Sequence, residues 1–232
     1  MGLFRFKQFS VDDTGASLKV GTDAVLLGAW SNVTGSTRLL DIGTGSGIIA
    51  LMLAQRSTAD AHIDAVEINP EDAKQAEENV RQSPWQDKIT ILEGPIQNHY
   101  RTGGYDRIVC NPPYFTQSLL SPHAARTTAR HDIRLPQAEL IQAVERLLAP
   151  EGLFAVILPA SNAAAFTAAA LSKGLHLIRH TRFYSRSEKP QERSLLEFGR
   201  NPGLLHEDRL VLYAEGNNWS AEYVQLTRAF YL

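Results

Sequence analysis

The sequence predicts an α/β fold: an open, doubly wound, mainly parallel sheet with helices on both faces. Three observations carry it. Apolar strand-like runs alternate with helical segments from residue 38 to residue 172. A glycine-rich turn leads straight from the first of these strands into the first of these helices. Beyond residue 174 the strand-like runs follow one another with no helix between them. Strands separated by helices of roughly 10 to 15 residues need right-handed crossovers, which make neighbouring strands parallel and cover both faces of the sheet.

The elements follow in order. Residues 38–42, Arg-Leu-Leu-Asp-Ile, form a short apolar strand that runs into Gly43-Thr44-Gly45-Ser46-Gly47 and a helical segment over 48–55. A second strand is expected at 62–68; Asn69 as N-cap and Pro70 at the first helical position then open a helix. Further strands are expected at 88–92 and 105–110, an amphipathic helix over 135–148, a strand at 153–158 and an alanine-rich helix over 161–172. Runs near 175–184, 194–199 and 209–213 read as strands that finish the sheet in an antiparallel edge. Residues 1–37 read as an extended N-terminal extension in which Phe4, Phe6 and Phe9 alternate, and residues 38–232 as one catalytic-type domain.

Composition bounds the rest. In 232 residues, 44% hydrophobic and 21% charged, nothing favours disorder or a coiled coil. No run approaches the ~20 apolar residues of a membrane span. The N-terminus lacks the apolar core of a signal peptide, and Cys110 is the single cysteine, so a cytoplasmic location is expected. The seven histidines show neither a His pair spaced around a carboxylate nor a Cys-His spacing, so no metal site is expected. Net charge is −2, yet residues 60–93 carry nine acids against three Lys or Arg, whereas 173–193 carry six Lys or Arg against two acids. One face is therefore suited to phosphates.

The segment Asp41-Ile42-Gly43-Thr44-Gly45-Ser46-Gly47 lets the backbone turn sharply and approach a ligand closely. Its glycine spacing departs from the dinucleotide fingerprint, which needs a third glycine where Ile48 stands, and no Walker lysine exists. A ligand without a pyrophosphate fits better. Glu67 ends the second strand 24 residues after Gly43, where a carboxylate can accept hydrogen bonds from two ribose hydroxyls. Together these point to an adenosine-containing ligand. The combination resembles the class I S-adenosylmethionine-dependent methyltransferases. That resemblance implies a seven-stranded Rossmann-like methyltransferase fold with S-adenosylmethionine as cofactor, its methionine end over the glycine loop and its sulfonium aimed at the end of the fourth strand. The chain has Glu93-Gly94-Pro95 where many such enzymes place an acid to meet the adenine amine, which leaves the adenine contact open.

Cys110-Asn111-Pro112-Pro113-Tyr114-Phe115 follows the fourth strand, and two consecutive prolines forbid both a continued ladder and an immediate helix. The Asn111 side-chain oxygen and the Pro112 carbonyl are acceptors able to grip both hydrogens of a planar amino group. Such a grip favours a pyramidal nitrogen whose lone pair is aimed at a methyl donor, catalysis by positioning and electrostatics. Tyr114 offers a face for a base turned out of its stack. The corner, with Pro113, resembles the fourth motif of amino-methyltransferases acting on adenine N6 in nucleic acids or on glutamine amides in proteins. Glutamine-modifying relatives carry a helical domain before the sheet and DNA enzymes a target-recognition segment; with neither evident, a compact RNA enzyme is expected.

Lys19-Val20-Gly21-Thr22-Asp23-Ala24-Val25-Leu26-Leu27-Gly28-Ala29-Trp30, Asn-Pro-Pro-Tyr-Phe and the terminal Ala229-Phe230-Tyr231-Leu232 together resemble the bacterial tRNA1(Val) adenine-N6-methyltransferase family. The resemblance implies that the extension packs over the cofactor site, with Gly21, Thr22 and Asp23 closing on the methionine moiety. On composition alone Asp23 serves equally well as an N-cap. It also implies tRNA as partner and the adenine 3′ of the anticodon as target. Methylation of an rRNA adenine, of a protein glutamine, or RNA binding without catalysis are the alternatives. Lys7, Arg126, Arg130, His131 and Arg134, with Arg182, Tyr184 and Arg186 in the basic stretch that also holds Arg179, Lys189 and Arg193, are candidates for RNA contact. The oligomeric state is left open, a monomer being favoured.

Overall fold

The computed structural model describes residues 2–17, 19–113 and 135–231. Two short strands, β1 (Leu3–Arg5) and β2 (Ser10–Asp12), form an antiparallel hairpin before helix α1 (Thr22–Trp30). Then come β3 (Arg38–Ile42), α2 (Ile48–Arg56), β4 (His62–Glu67), α3 (Pro70–Arg81), β5 (Ile89–Glu93) and β6 (Tyr105–Cys110). After the undescribed segment follow α4 (Gln137–Leu147), β7 (Leu148–Pro159), α5 (Ala160–Leu171), β8 (His176–Tyr184), β9 (Arg193–Gly199), β10 (His206–Val211) and α6 (Ala221–Thr227).

The main sheet runs β10-β8-β9-β7-β6-β3-β4-β5. The chain enters it in the middle at β3, winds outward through β4 and β5, and returns to β6 on the other flank of β3 before continuing to β7. All of these neighbours are parallel. The reversal of winding between β3 and β6 opens a crevice at their carboxyl ends, the place where open α/β sheets bind ligands.

Alternation of side chains along each strand assigns the two cores. Leu39 and Val109 face the layer of α1 and α2, with Leu26, Leu51 and Ile63, whereas Leu40, Ile42, Ile108 and Cys110 face Leu140, Val144, Phe154 and Phe166 on the opposite side. Asn69 caps α3 as expected: its side-chain oxygen accepts from Glu71 N and Asp72 N, an interaction worth about 1 kcal/mol.

The α/β class stands, with four differences from expectation. Among the described residues the sheet has eight strands rather than seven. Of the described strands in this sheet only β9 is antiparallel, and it lies inside the sheet between β7 and β8, not at its edge. The short return from β8 fixes β9 as its antiparallel neighbour; β10 must then skip past β8 and pairs with it parallel. The third difference is that the extension is not wholly extended, since α1 buries every residue from Ala24 to Trp30. A helix apolar on all sides shows no 3.6-residue period to detect. Burying Leu26, Leu27 and Trp30, at about 1.5–3 kcal/mol for each large apolar side chain, outweighs its weak intrinsic propensity. Gly28 permits the fit, because a Cβ there would lie 2.7 Å from Met52 Sδ on α2. Helix α6 was likewise not foreseen.

The extension is stitched to the sheet's carboxyl end. Asn79 of α3 accepts from Asp12 N at 2.9 Å and donates to Asp12 O at 2.9 Å and Ser46 O at 2.8 Å, and Ser17 N donates to Asp72 Oδ1 at 2.7 Å. No helix among the described residues is long and apolar enough to cross a membrane.

Candidate active site

The site is built on one register pair. Ile42 of β3 and Cys110 of β6 are direct partners across the ladder, so Gly43 and Asn111 leave adjacent strands side by side. Strand spacing puts the two backbones about 4.8 Å apart at that point. The glycine turn and the Asn-Pro-Pro corner thus open into the same crevice.

In the turn, Gly43, Gly45 and Gly47 all take left-handed backbone angles, with φ of 71°, 55° and 83°. A side chain at any of them is strained. Among the described residues, a Cβ added at Gly43 or Gly45 would meet no atom within 4 Å, so these residues leave open room beside the turn. At Gly47 a Cβ would lie 3.4 Å from that of Ala76, so this glycine also lets the turn seat on α3. The turn is held from below. Gly43 N and Thr44 N both donate to Val66 O, at 2.9 and 3.1 Å, and Gly47 N donates to Thr44 O at 2.9 Å.

Asp41 lies beneath the turn and is fully buried. Its Oδ2 accepts from Thr44 Oγ1 at 2.6 Å. Its Oδ1 makes no hydrogen bond of normal geometry among the described residues, the Ala50 amide giving only weaker electrostatic help. Loss of hydration pushes this carboxyl up to about 7, against the opposing hydrogen bond from Thr44. Asp41 therefore braces the turn from within the core.

Glu67 ends β4 and is buried. Its Oε2 accepts from Gly45 N and its Oε1 from Asn69 N, each at 2.9 Å. Burial raises its carboxyl above the ordinary range, while the Asn69 and Gly45 amides resist that rise. Each carboxylate oxygen keeps a further lone pair for a hydroxyl donor. Ile68, the next residue, is 39% exposed at the same strand end, an apolar surface that the sequence reading passed over.

On the other lip, Asn111 is half-buried, Pro112 buried and Pro113 exposed. Cys110 is fully buried and burial drives its thiol well up, so it packs and does not offer a thiolate. Tyr114, Arg126, Arg130, His131 and Arg134 lie outside the described residues.

Helix α1 begins on the same rim. Gly21 is its N-cap, extended and without a side-chain cap bond, so Asp23 is not the cap. Asp23 Oδ2 instead accepts from Arg193 Nε at 2.9 Å. Arg193 opens β9 and is registered with Pro159 and Phe183, at the carboxyl end of the parallel strands. Gly21 and Thr22 stand exposed beside this pair.

The remaining candidates separate. Tyr184 lies at the tip of β8 beneath Arg209, whose guanidinium is 4.8 Å from the ring centre, and Arg186 sits 5.3 Å from the ring centre of Tyr213. Arg182 is paired with Glu207, and Arg179 covers Trp30. Lys7 stands apart on the N-terminal hairpin, its Nζ donating to Arg228 O at 2.8 Å.

Residues 16–163 match the methyltransferase small domain. In overall shape the chain is similar to a predicted O-methyltransferase from Agrobacterium tumefaciens, with a TM-score of 0.69 over 90% of this chain and 96% of that one at 17% identity, a likeness of fold. It is 44% identical over 229 residues, 99% of its length and 97% of the relative's, to the tRNA1(Val) (adenine(37)-N6)-methyltransferase of Aeromonas hydrophila. It is 46% identical over 231 residues, 99% of its length and 97% of the relative's, to that of Aeromonas salmonicida. With its glycine turn and Asn-Pro-Pro corner on adjacent strands, and likeness along nearly its whole length, the chain belongs to the tRNA1(Val) (adenine(37)-N6)-methyltransferase family.

Proposed function

We propose that this chain methylates N6 of the adenine 3′ of the anticodon of tRNA1(Val), using S-adenosylmethionine, in the cytoplasm. The observation that supports the reading is the Ile42–Cys110 register pair, which brings the glycine turn beside the Asn-Pro-Pro corner. When bound, S-adenosylmethionine supplies an electrophilic methyl group on a sulfonium. The residues present fit it: the glycine turn leaves room for it, and Glu67 retains lone pairs for ribose hydroxyls. Ile68 offers the adenine an apolar face. Gly21, Thr22 and Asp23 close the rim above the methionine end, and Asp41 acts through the turn it braces.

Asn111 Oδ1 and the Pro112 carbonyl accept the two N6 hydrogens of the target adenine. That grip opposes delocalisation of the nitrogen lone pair into the ring and directs it at the methyl carbon. The bound donor would supply the methyl group and leave as the neutral thioether, and the nitrogen held by Asn111 and Pro112 would lose one proton to water. Pro112 and Pro113 keep the corner rigid, and Tyr114 stacks on the flipped base. The test is transfer of labelled methyl to total tRNA from cells lacking this gene, followed by nucleoside analysis. Label in N6-methyladenosine supports the reading; label entering only rRNA or protein overturns the substrate.

A further inference from the structure

We propose that Phe4, Tyr231 and Trp219 form a second RNA-contacting surface, an aromatic platform on which unpaired bases of the tRNA stack away from the reaction site. The proposal rests on the tRNA reading above. Three rings from opposite ends of the chain meet here: Phe4 lies 6.3 Å from Tyr231, and Tyr231 4.9 Å from Trp219, centre to centre. Buried rings hold them from behind, with Phe6 at 4.8 Å from Phe4 and 5.9 Å from Tyr231, and Tyr223 at 5.3 Å from Trp219. Backing of this kind explains rigid placement, yet Trp219 remains 43% and Phe4 36% exposed. Large rings grouped on a surface mark a contact site.

Charge selects the partner. Residues 1–9 and 217–231, which make the platform, contain Arg5, Lys7 and Arg228 against Glu222 as the only acid, in a chain of net charge −2. Lys7 N donates to Phe230 O and Lys7 Nζ to Arg228 O, both at 2.8 Å, so Lys7 is fastened next to the segment that carries Tyr231. Aromatic faces flanked by cations suit exposed bases and their phosphates, since every base has a face to stack. Paired stems hide those faces, so the contact is with loop nucleotides.

The platform is continuous with the crevice rim. Trp219 bridges Tyr213, Tyr213 N donates to Ser185 O just past the tip of β8 at 3.0 Å, and Arg186 covers Tyr213. Four ladder steps separate β6, which leads into Asn111, from β10, which leads into Tyr213. At about 4.8 Å per step this is roughly 19 Å, within the reach of one tRNA stem-loop.

Steady-state kinetics on tRNA test the proposal with Trp219→Ala, Trp219→Phe and the doubly exchanged Arg5→Glu/Arg228→Glu, all checked for native circular dichroism. Trp219→Ala is expected to raise KM for tRNA about tenfold, within the range for loss of one stacked base, with kcat and KM for S-adenosylmethionine unchanged. Trp219→Phe should recover most of that loss. The charge exchange, at exposed positions, should raise KM for tRNA similarly and carries the test if Trp219→Ala does not fold. Wild-type KM for tRNA in the folded variants overturns the platform alone; a wild-type enzyme that transfers no methyl to tRNA overturns the substrate reading and the platform with it.

Discussion

Asp23 and Arg193, separated by 170 residues in the chain, meet at 2.9 Å on the rim of the crevice. The pair ties the first turn of α1 to the first residue of β9 and so joins the N-terminal extension to the inserted antiparallel strand. Both side chains are partly exposed, so the pair contributes at most about 1 kcal/mol to stability. Its consequence is positional. Asp23→Asn is expected to raise KM for S-adenosylmethionine several-fold with a Tm change of a few degrees or less. An unchanged KM for the cofactor in a folded variant would remove the turn from the cofactor site.

Asn111→Ala should lower kcat by about 100-fold or more, the scale seen when one positioned hydrogen-bonding group is removed from a reacting centre. Calorimetric titration with S-adenosylmethionine should find near-normal affinity. Turnover within a few-fold of wild type would mean that the Asn-Pro-Pro corner does not grip the amine.

Gly45→Ala forces a side chain onto a φ of 55° and into the open room beside the turn. Strain of about 1–2 kcal/mol is expected in Tm or denaturant midpoint, together with loss of cofactor affinity. Gly35→Ala, at a φ of 71° and also with free space for its Cβ, is the control: comparable strain and unchanged affinity.

Asp41 makes stability depend on pH in an unusual direction. Its carboxyl is raised to about 7 in the folded chain, so the folded state holds a proton that the unfolded state has already released between about pH 4 and 7. By linkage the folded state loses stability as pH rises through that window, on the order of 4 kcal/mol as an upper limit. Asp41→Asn cannot titrate but can still accept from Thr44. The stability of Asp41→Asn relative to wild type, measured by denaturant unfolding, should therefore grow from pH 4 to pH 7. A difference that stays flat with pH would show that Asp41 is ionised throughout.

Much of the frame is written locally. The strand at Arg38–Ile42, the Asn69 cap and the breaks at Pro112 and Pro113 act within a few residues, through apolar period, missing donors and fixed backbone angles, and these are visible in one dimension. The place of Glu67 at the end of its strand was legible because its distance from Gly43 spans one turn, one helix and one strand. Helix α1 was not, since a segment buried on every side carries no amphipathic pattern.

What the sequence determined by itself is the alternation that makes a parallel sheet, and the two turns that must open at its carboxyl end. Only the tertiary structure decided which strands are neighbours: Ile42 beside Cys110, β9 inserted between β7 and β8, Arg193 against Asp23, and Phe4, Tyr231 and Trp219 on one surface. The physical reason is range. Propensity and period act over a turn or a strand, whereas these contacts join residues far apart in the chain, set by which faces must be buried together when the whole sheet closes on its two cores.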